Sequence, residues 1–206
     1  RVRARTGAAL AAGLLLAVAG AAGGAVAQEA AGDESPGISD DRILFGQSAA
    51  LTGPASELGT GMRRGILAAF NEANLAGGID GRRLELLSYD DRYEPEIAIA
   101  NTERLIANDR VFALIGPVGT PTSMAAEPIA TAAQVPLIGP FTGAEFLRNP
   151  ALRTVINLRA SYFQEAERIV DWLTRERGAA CIAILYQDDS YGRAGRTGVI
   201  RALERR

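Results

Sequence analysis

LELLSYDDRYEPEIAIANTERLIANDRVFALIGPVGT, residues 84–120, contains a strand, a helix and a second strand in succession. The runs Leu84 to Tyr89 and Val111 to Ile115 are short and mainly apolar, and the second is nearly continuous, as is typical of a strand covered on both faces. Pro95 opens the amphipathic segment between them, because proline is accepted in the first turn of a helix. This succession predicts a parallel βαβ unit.

The same alternation continues on both sides of this unit. Ile43 to Phe45 is a predicted strand, and the helix after it is predicted from apolar residues at helical spacing, with Gly77-Gly78 as its end. The elements predicted downstream are a helix from Thr120 to Ala133 that contains Pro128, strands at Pro136 to Ile138 and Val155-Ile156, a helix opened by the capping box Ser161-x-x-Gln164, a strand from Cys181 to Tyr186, and a helix from about Gly192. We therefore expect an α/β fold built on a doubly wound parallel sheet.

Ligands of such sheets bind beyond the carboxyl ends of the strands. The loops that begin directly after the predicted strands are therefore the first places to look for a site. They begin at Gln47, Asp90, Gly116, Gly139 and Gln187.

The first 27 residues have the pattern of a secretory signal peptide. Three arginines in the first five residues precede an uncharged stretch from Gly7 to Ala27, which ends in the small-residue pattern Ala25-Val26-Ala27. We expect cleavage near Ala27 and a periplasmic or secreted product; an uncleaved membrane anchor is the alternative. Residues 28–41 are polar and predict a flexible N-terminus of the mature chain.

The composition excludes several classes of function. Hydrophobic residues make up 48% of the 206 residues and the formal net charge is −2, so a globular fold is expected and nucleic acid is not an expected partner. The absence of histidine excludes Ser-His-Asp and Cys-His catalysis and histidine-ligated zinc. Cys181 is the single cysteine, and its apolar neighbours predict a buried structural thiol.

Two sets of residues could belong to an enzyme. Gly59-Thr60-Gly61 with Gly65, followed later by Asp90, resembles a dinucleotide fingerprint, but a long loop separates these glycines from the preceding strand. Close helix packing is the alternative for the glycines. The pairs Asp90-Asp91 and Asp188-Asp189 could perform acid–base or metal chemistry or could cap helices. We expect the second explanation in both cases, and predict no enzyme activity, no cofactor and no metal.

A series of short motifs resembles the leucine/isoleucine/valine-binding receptors, which are type I periplasmic binding proteins. The order and spacing of the motifs carry the resemblance over residues 43–203. The motifs are Ile43-Leu44-Phe45-Gly46-Gln47-Ser48, Leu51-Thr52-Gly53-Pro54-Ala55, Asn71-Glu72-x-Asn74, Gly77-Gly78-Ile79-x-Gly81-Arg82, Asp90-Asp91-x-Tyr93-x-Pro95, Leu105-Ile106-Ala107-x-Asp109, Gly116-Pro117-Val118-Gly119-Thr120, Asn157-x-Arg159 and Tyr186-Gln187-Asp188-Asp189-x-Tyr191-Gly192.

The resemblance implies two α/β lobes with a ligand in the cleft between them. Residues 42–157 would form a complete first lobe, and residues 158–206 would form the beginning of an incomplete second lobe. The family binds an amino-acid carboxylate at a hydroxyl and a helix N-terminus, which places Thr120 at the carboxylate; the geometry of helix dipoles agrees. The remaining ligand-binding residues that the resemblance implies are Leu58, Phe141, Thr142, Gly143 and Tyr191.

Alternatives remain for three of these residues and for the function. Thr120 could be only an N-cap, Leu58 an exposed loop residue, and Tyr191 a residue that packs on its own helix. The resemblance implies the binding component of an ABC importer, monomeric, with an amino acid or similar small molecule as ligand and an inner-membrane permease as partner. A sensor domain of the same fold is the second hypothesis, and a secreted α/β enzyme is the third.

Overall fold

The computed structural model describes residues 35–206. The predicted signal peptide, residues 1–27, lies outside the described residues, as do residues 28–34 of the segment 28–41 that was expected to be flexible. The described end of that segment is hydrogen-bonded to the first strand, since the amide of Leu44 donates to the carbonyl of Gly37 at 2.7 Å. No helix within residues 35–206 combines the length and the hydropathy needed to cross a bilayer.

The chain forms a five-stranded parallel sheet with helices between the strands. The strands are β1 (Arg42–Ala49), β2 (Arg83–Asp90), β3 (Ala113–Ile115), β4 (Leu137–Ile138) and β5 (Val155–Ile156), and the helices are α1 (Ser56–Leu75), α2 (Pro95–Ala107), α3 (Thr120–Ala132), α4 (Tyr162–Asp171) and α5 (Ser190–Glu204). The strand order is β2-β1-β3-β4-β5. This order reverses direction at β1, as the doubly wound prediction requires, so the predicted fold class is confirmed.

The core lies between the sheet and helices α2 and α3. Leu105 of α2 and Ala130 of α3 pack on Leu114 and Leu137 of the sheet, and all four are buried. On the opposite face, Phe70 of α1 lies with its ring centroid 5.0 Å from that of Phe45 in β1. The sheet is therefore covered on both faces at β1, which explains the nearly continuous apolar runs in the sequence.

Helix α4 begins as the sequence predicts. The Ser161 hydroxyl accepts a hydrogen bond from the Gln164 amide, and the Gln164 side chain accepts one from the Ser161 amide. This reciprocal capping box satisfies two backbone donors of the first turn. The last turn of this helical segment, Trp172–Glu176, widens into a π-helix.

The predicted strand from Cys181 to Tyr186 is wrong. These residues form no strand ladder, and Cys181, Leu185 and Tyr186 are exposed. A strand requires a neighbour that pairs with its backbone groups. Within residues 35–206 no strand lies alongside this segment, so an apolar sequence alone does not make it a strand.

The buried thiol predicted at Cys181 is wrong for the same reason. Because its side chain is exposed in the extended segment, we expect a thiol-specific reagent such as DTNB to titrate one thiol per native chain without denaturant. A Cys181→Ser variant should give no reaction. Reaction that requires denaturant would contradict the exposed position.

Candidate functional site

A cleft of about 880 Å³ lies at the carboxyl ends of the strands. One wall consists of the loops that follow β1, β2, β3 and β4, and the other consists of α4, the segment before α5, and the first turns of α5. This is the position at which open α/β sheets bind their ligands. A smaller and more apolar cavity of about 250 Å³ lies between α1 and the ends of β3 and β4, lined in part by Met62, Ile138 and Leu158.

Three hydroxyl groups converge at the end of the cleft nearest to the sheet. The hydroxyl oxygens of Thr120 and Thr142 are 2.7 Å apart. The Tyr162 hydroxyl lies 3.2 Å from that of Thr142 and 3.5 Å from that of Thr120. Both threonines are buried. Thr120 and Tyr162 line the cleft, and Thr142 lies behind them. We call Thr120, Thr142 and Tyr162 the hydroxyl cluster.

Helix α3 places the cluster at a helix N-terminus. Gly119 is the N-cap of α3, with φ of 108°, and Thr120 is its first residue. A side chain at Gly119 would be strained at this φ, and its Cβ would lie 2.5 Å from the Tyr93 ring. The tight turn thus brings the N-terminus of α3 and the Thr120 hydroxyl to the same end of the cleft, where the partial positive charge of the helix favours an anion.

The loop after β2 holds Tyr93 in the cleft. Arg92 and Tyr93 both have left-handed backbone angles, with φ of 53° and 69°. The Tyr93 amide donates to the carboxylate of Asp91 at 2.9 Å, and the Ser48 hydroxyl donates to the other oxygen of Asp91 at 2.9 Å. These bonds compensate for the unfavourable backbone conformation, which residues other than glycine seldom adopt.

The neighbouring carboxylate, Asp90, anchors the opposite loop. It accepts hydrogen bonds from the amides of Leu51, Thr52 and Arg92 and from the Thr52 hydroxyl. Burial acts to raise the pKa of Asp90, but these hydrogen bonds outweigh it and hold the pKa below its ordinary value. Asp90 therefore joins the loop after β1 to the loop after β2, and both loops line the cleft.

Asp91 should give the free energy of unfolding a specific pH dependence. Burial raises the pKa of Asp91 above its ordinary value of 3.8, against the lowering effect of the Tyr93 and Ser48 hydrogen bonds. Its contribution to stability is therefore fully present below pH 3.8 and is lost as the pH rises through the raised pKa of the folded state.

We expect Asp91→Asn to remove this loss. Denaturant unfolding of wild type and variant should show the difference in unfolding free energy shifting in favour of the variant between about pH 4 and about pH 7. Two parallel pH profiles would contradict the assignment.

Tyr93 is a hydrogen-bond donor at neutral pH. Burial raises its pKa to about 12, with further contributions from the charge of Asp189 and from Tyr162. A hydrogen bond from the Thr120 backbone amide acts to lower this pKa, and the Tyr93 ring lies beside Gly119 at the N-terminus of α3. Tyr93 thus adds a fourth hydroxyl close to the cluster.

Arg159 places a positive charge beside the Tyr162 ring of the hydroxyl cluster. Its guanidinium carbon lies 5.5 Å from the ring centroids of both Phe141 and Tyr162. One of its nitrogens forms an ion pair with Glu165 of α4. Its backbone carbonyl accepts a hydrogen bond from Arg148 at 2.9 Å, which fixes the chain at the cleft edge.

The structure brings together most of the residues that the sequence singled out. Leu58, Thr120, Phe141 and Tyr191 all line the cleft. Thr142 lies behind them and contacts Thr120 through its hydroxyl.

Gly143 does not line the cleft. Its carbonyl accepts from the Tyr162 amide at 2.7 Å, and a Cβ here would lie 2.6 Å from the Tyr162 ring, so this glycine lets α4 approach the loop.

The structure also bears on the alternatives for individual residues. Thr120 is not the N-cap of α3, because Gly119 occupies that position. Leu58 lies in the first turn of α1 and not in a loop, although it is exposed. Tyr191 does not pack on its own helix alone, since its ring centroid lies 5.5 Å from that of Tyr162 in α4.

Sequence reasoning missed Tyr93, Tyr162 and Arg159 as cleft residues. Tyr93 lies in the loop that begins at Asp90, so the position of that loop after a strand was the available signal. Tyr162 directly follows the predicted N-cap Ser161, but nothing local indicates that its hydroxyl reaches Thr142.

The features considered for enzymes have structural roles. Asp189 caps α5 by accepting from the Gly192 amide at 2.9 Å, whereas Asp90 and Asp91 hold loops. Gly59 is buried and lies against the backbone of Ala50, as the packing alternative predicts, whereas a Cβ at Gly61 or Gly65 would meet no neighbouring element. Across residues 35–206, no three histidine, cysteine, aspartate or glutamate side chains form a group that could hold a metal ion.

The sequence matches the family model described as periplasmic binding protein over residues 43–206. Among curated relatives, the leucine-, isoleucine-, valine-, threonine- and alanine-binding protein of Pseudomonas aeruginosa is 26% identical over 84% of this chain and 46% of its own length. The Leu/Ile/Val-binding protein homolog 3 of Brucella melitensis is 26% identical over 73% of this chain and 41% of its own length. The chain thus spans about half the length of the curated relatives it matches.

Solved structures give the same result. A possible leucine/isoleucine/valine-binding protein from Rhodopirellula baltica superposes with a TM-score of 0.77 and 43% identity, covering 84% of this chain and 46% of that one. A second structure is the branched-chain amino acid transporter substrate-binding protein of Streptococcus pneumoniae, solved in complex with isoleucine. It superposes with a TM-score of 0.70 and 25% identity, covering 80% of this chain and 46% of that one.

Proposed function

Since this chain belongs to the periplasmic binding protein family, we propose that it is the extracytoplasmic solute-binding component of an ABC importer. Its ligand is an amino acid or a related small carboxylate, and its protein partner is an inner-membrane permease. The protein acts as a monomer in the periplasm after removal of residues 1–27, and it performs no catalysis.

The hydroxyl cluster at the N-terminus of α3 is the observation that carries this proposal. A ligand carboxylate placed there accepts hydrogen bonds from the Thr120 and Tyr162 hydroxyls and lies at the positive end of the α3 dipole. Hydrogen bonds to a charged acceptor are stronger than those between neutral groups. Thr142 holds the Thr120 hydroxyl in place from behind.

The two walls of the cleft fit a binding protein that closes on its ligand. Residues 42–157 provide the wall with Thr120 and Phe141, and residues 158–206 provide the wall with Tyr162 and Tyr191. A ligand that contacts both walls favours the closed arrangement by its differential affinity for it. In this proposal the permease recognises the closed form.

The proposal is tested by isothermal titration of the chain with leucine, isoleucine, valine, short amides and short dicarboxylates. Saturable binding with one site per chain to at least one of these ligands is the expected result. A folded chain that binds neither these ligands nor any other short carboxylate would contradict the proposal.

A further inference from the structure

Aromatic side chains are concentrated in the cleft. The chain has five tyrosines, and four of them, Tyr93, Tyr162, Tyr186 and Tyr191, line the cleft. Phe141 lies in the same lining. These residues come from four segments that are far apart in the sequence, so proximity along the chain does not explain their meeting.

The rings present open surface to the cleft. Phe141 is 36% exposed and Tyr191 is 44% exposed, although both lie in a concave site. Tyr191 meets Tyr162 edge to face, with an interplanar angle of 67°, and the exposed surface of Tyr191 can contact a third ring. The planar guanidinium of Arg159 lies 5.5 Å from the Phe141 and Tyr162 rings, and such a plane also stacks on aromatic ligands.

The aromatic residues and the hydroxyl cluster share one residue. The Tyr162 hydroxyl lies within 3.5 Å of the hydroxyls of Thr120 and Thr142, while the Tyr162 ring contacts Tyr191. A carboxylate at the cluster and a ring packed on Tyr191 therefore lie within the length of one tyrosine side chain of each other. This separation suits a carboxylate joined to a ring by a short linker.

We propose that the ligand of this cleft is an aromatic carboxylate, in which a six-membered aromatic ring is connected to a carboxylate by a linker of one to three atoms. The inference rests on the proposed binding function and names its ligand class. The carboxylate binds the hydroxyl cluster at the N-terminus of α3. The ring packs against Phe141, Tyr162 and Tyr191, whose quadrupoles favour an aromatic partner over a saturated one of the same size.

The test compares 3-phenylpropionate with 3-cyclohexylpropionate, which have the same carboxylate and linker and nearly the same apolar size. Affinities are measured by following the amide chemical shifts of the isotope-labelled chain during titration, with leucine as a third ligand. We expect 3-phenylpropionate to bind about tenfold more tightly than the cyclohexyl acid, since ring–ring geometry adds to the burial that both share.

Variants test which side chain produces the preference for the aromatic acid. Tyr191→Leu should remove most of the aromatic preference, whereas Tyr191→Phe, which keeps the ring, should retain it. Phe112→Leu is the matched control, because Phe112 is 37% exposed and lies outside the cleft lining; it should leave the ratio of the two affinities unchanged.

Four other outcomes would contradict the aromatic assignment. Equal affinities for the two ring acids, or binding of leucine without binding of 3-phenylpropionate, would overturn the aromatic assignment and leave the solute-binding proposal intact. An aromatic preference that survives Tyr191→Leu would also overturn the assignment. Failure of all three ligands to bind the folded chain would overturn this inference and count against the binding proposal as well.

Discussion

Gly59→Ala is expected to destabilise the chain severely, although alanine is the better helix former. A Cβ at this position would lie 1.8 Å from the carbonyl oxygen of Ala50, so α1 would have to move away from the end of β1. Overpacking of this kind costs typically 1–3 kcal/mol, and we expect about 3 kcal/mol because the obstacle is backbone. The intrinsic gain of about 1 kcal/mol from replacing glycine in a helix does not offset this cost.

Gly65→Ala in the same helix is the matched control. Beyond the backbone of its own helix and its two chain neighbours, no atom lies within 4 Å of a Cβ built at Gly65, and the residue is exposed. Here only the helix propensity changes, so stability should rise by about 0.5–1 kcal/mol. Urea unfolding of both variants measures the contrast, and a Gly59→Ala variant as stable as wild type would contradict the close approach of α1 to Ala50.

Thr120→Val is expected to abolish most ligand binding while the chain stays folded. Valine has the shape of threonine but cannot donate to a carboxylate, and a hydrogen bond to a charged group contributes about 1.5–3 kcal/mol. Affinity should therefore fall by roughly 10-fold to more than 100-fold. The loss of unfolding free energy should be only about 1 kcal/mol, because Thr142 keeps the Tyr162 hydroxyl as a partner.

Two further variants separate the hydroxyl from general effects on α3. Thr120→Ser keeps the donor and should retain most of the affinity. Thr131→Val makes the same change in the last turn of the helix, where the hydroxyl donates to Glu127 and not to the cleft. Titration calorimetry and denaturant unfolding of all three variants provide the comparison. Equal losses of affinity in Thr120→Val and Thr131→Val would contradict a specific role for the Thr120 hydroxyl.

Local periodicity predicted the order and type of most elements. The β2–α2–β3 unit follows from apolar runs and Pro95, and the start of α4 follows from Ser161 and Gln164, because a capping box is a short-range interaction. The strand prediction for the segment from Cys181 to Tyr186 was wrong because a strand requires a pairing neighbour, which can be distant in the sequence. The apolar residues of this segment indicate a surface suited to burial, but they do not show whether a strand is present to pair with it.

The parts of the candidate site that could be predicted are the residues that lie in single loops after the strands. The rule that ligands bind beyond strand ends located the loops of Tyr93, Thr120 and Phe141, and the resemblance to a known family selected Thr120 and Thr142. The meeting of Tyr162 with Thr142 was not predictable, because it depends on how closely α4 approaches the loop at Gly143. That approach is a property of packing between distant segments.

The position of the ligand is the central claim, and a chemical-shift map of the whole chain tests it most directly. With saturating leucine or 3-phenylpropionate, the largest changes should occur at the amides of Gly119, Thr120, Phe141 and Tyr191. Changes centred on Met62, Ile138 and Leu158 would place the ligand in the smaller apolar cavity and contradict the assignment of the cleft and its hydroxyl cluster.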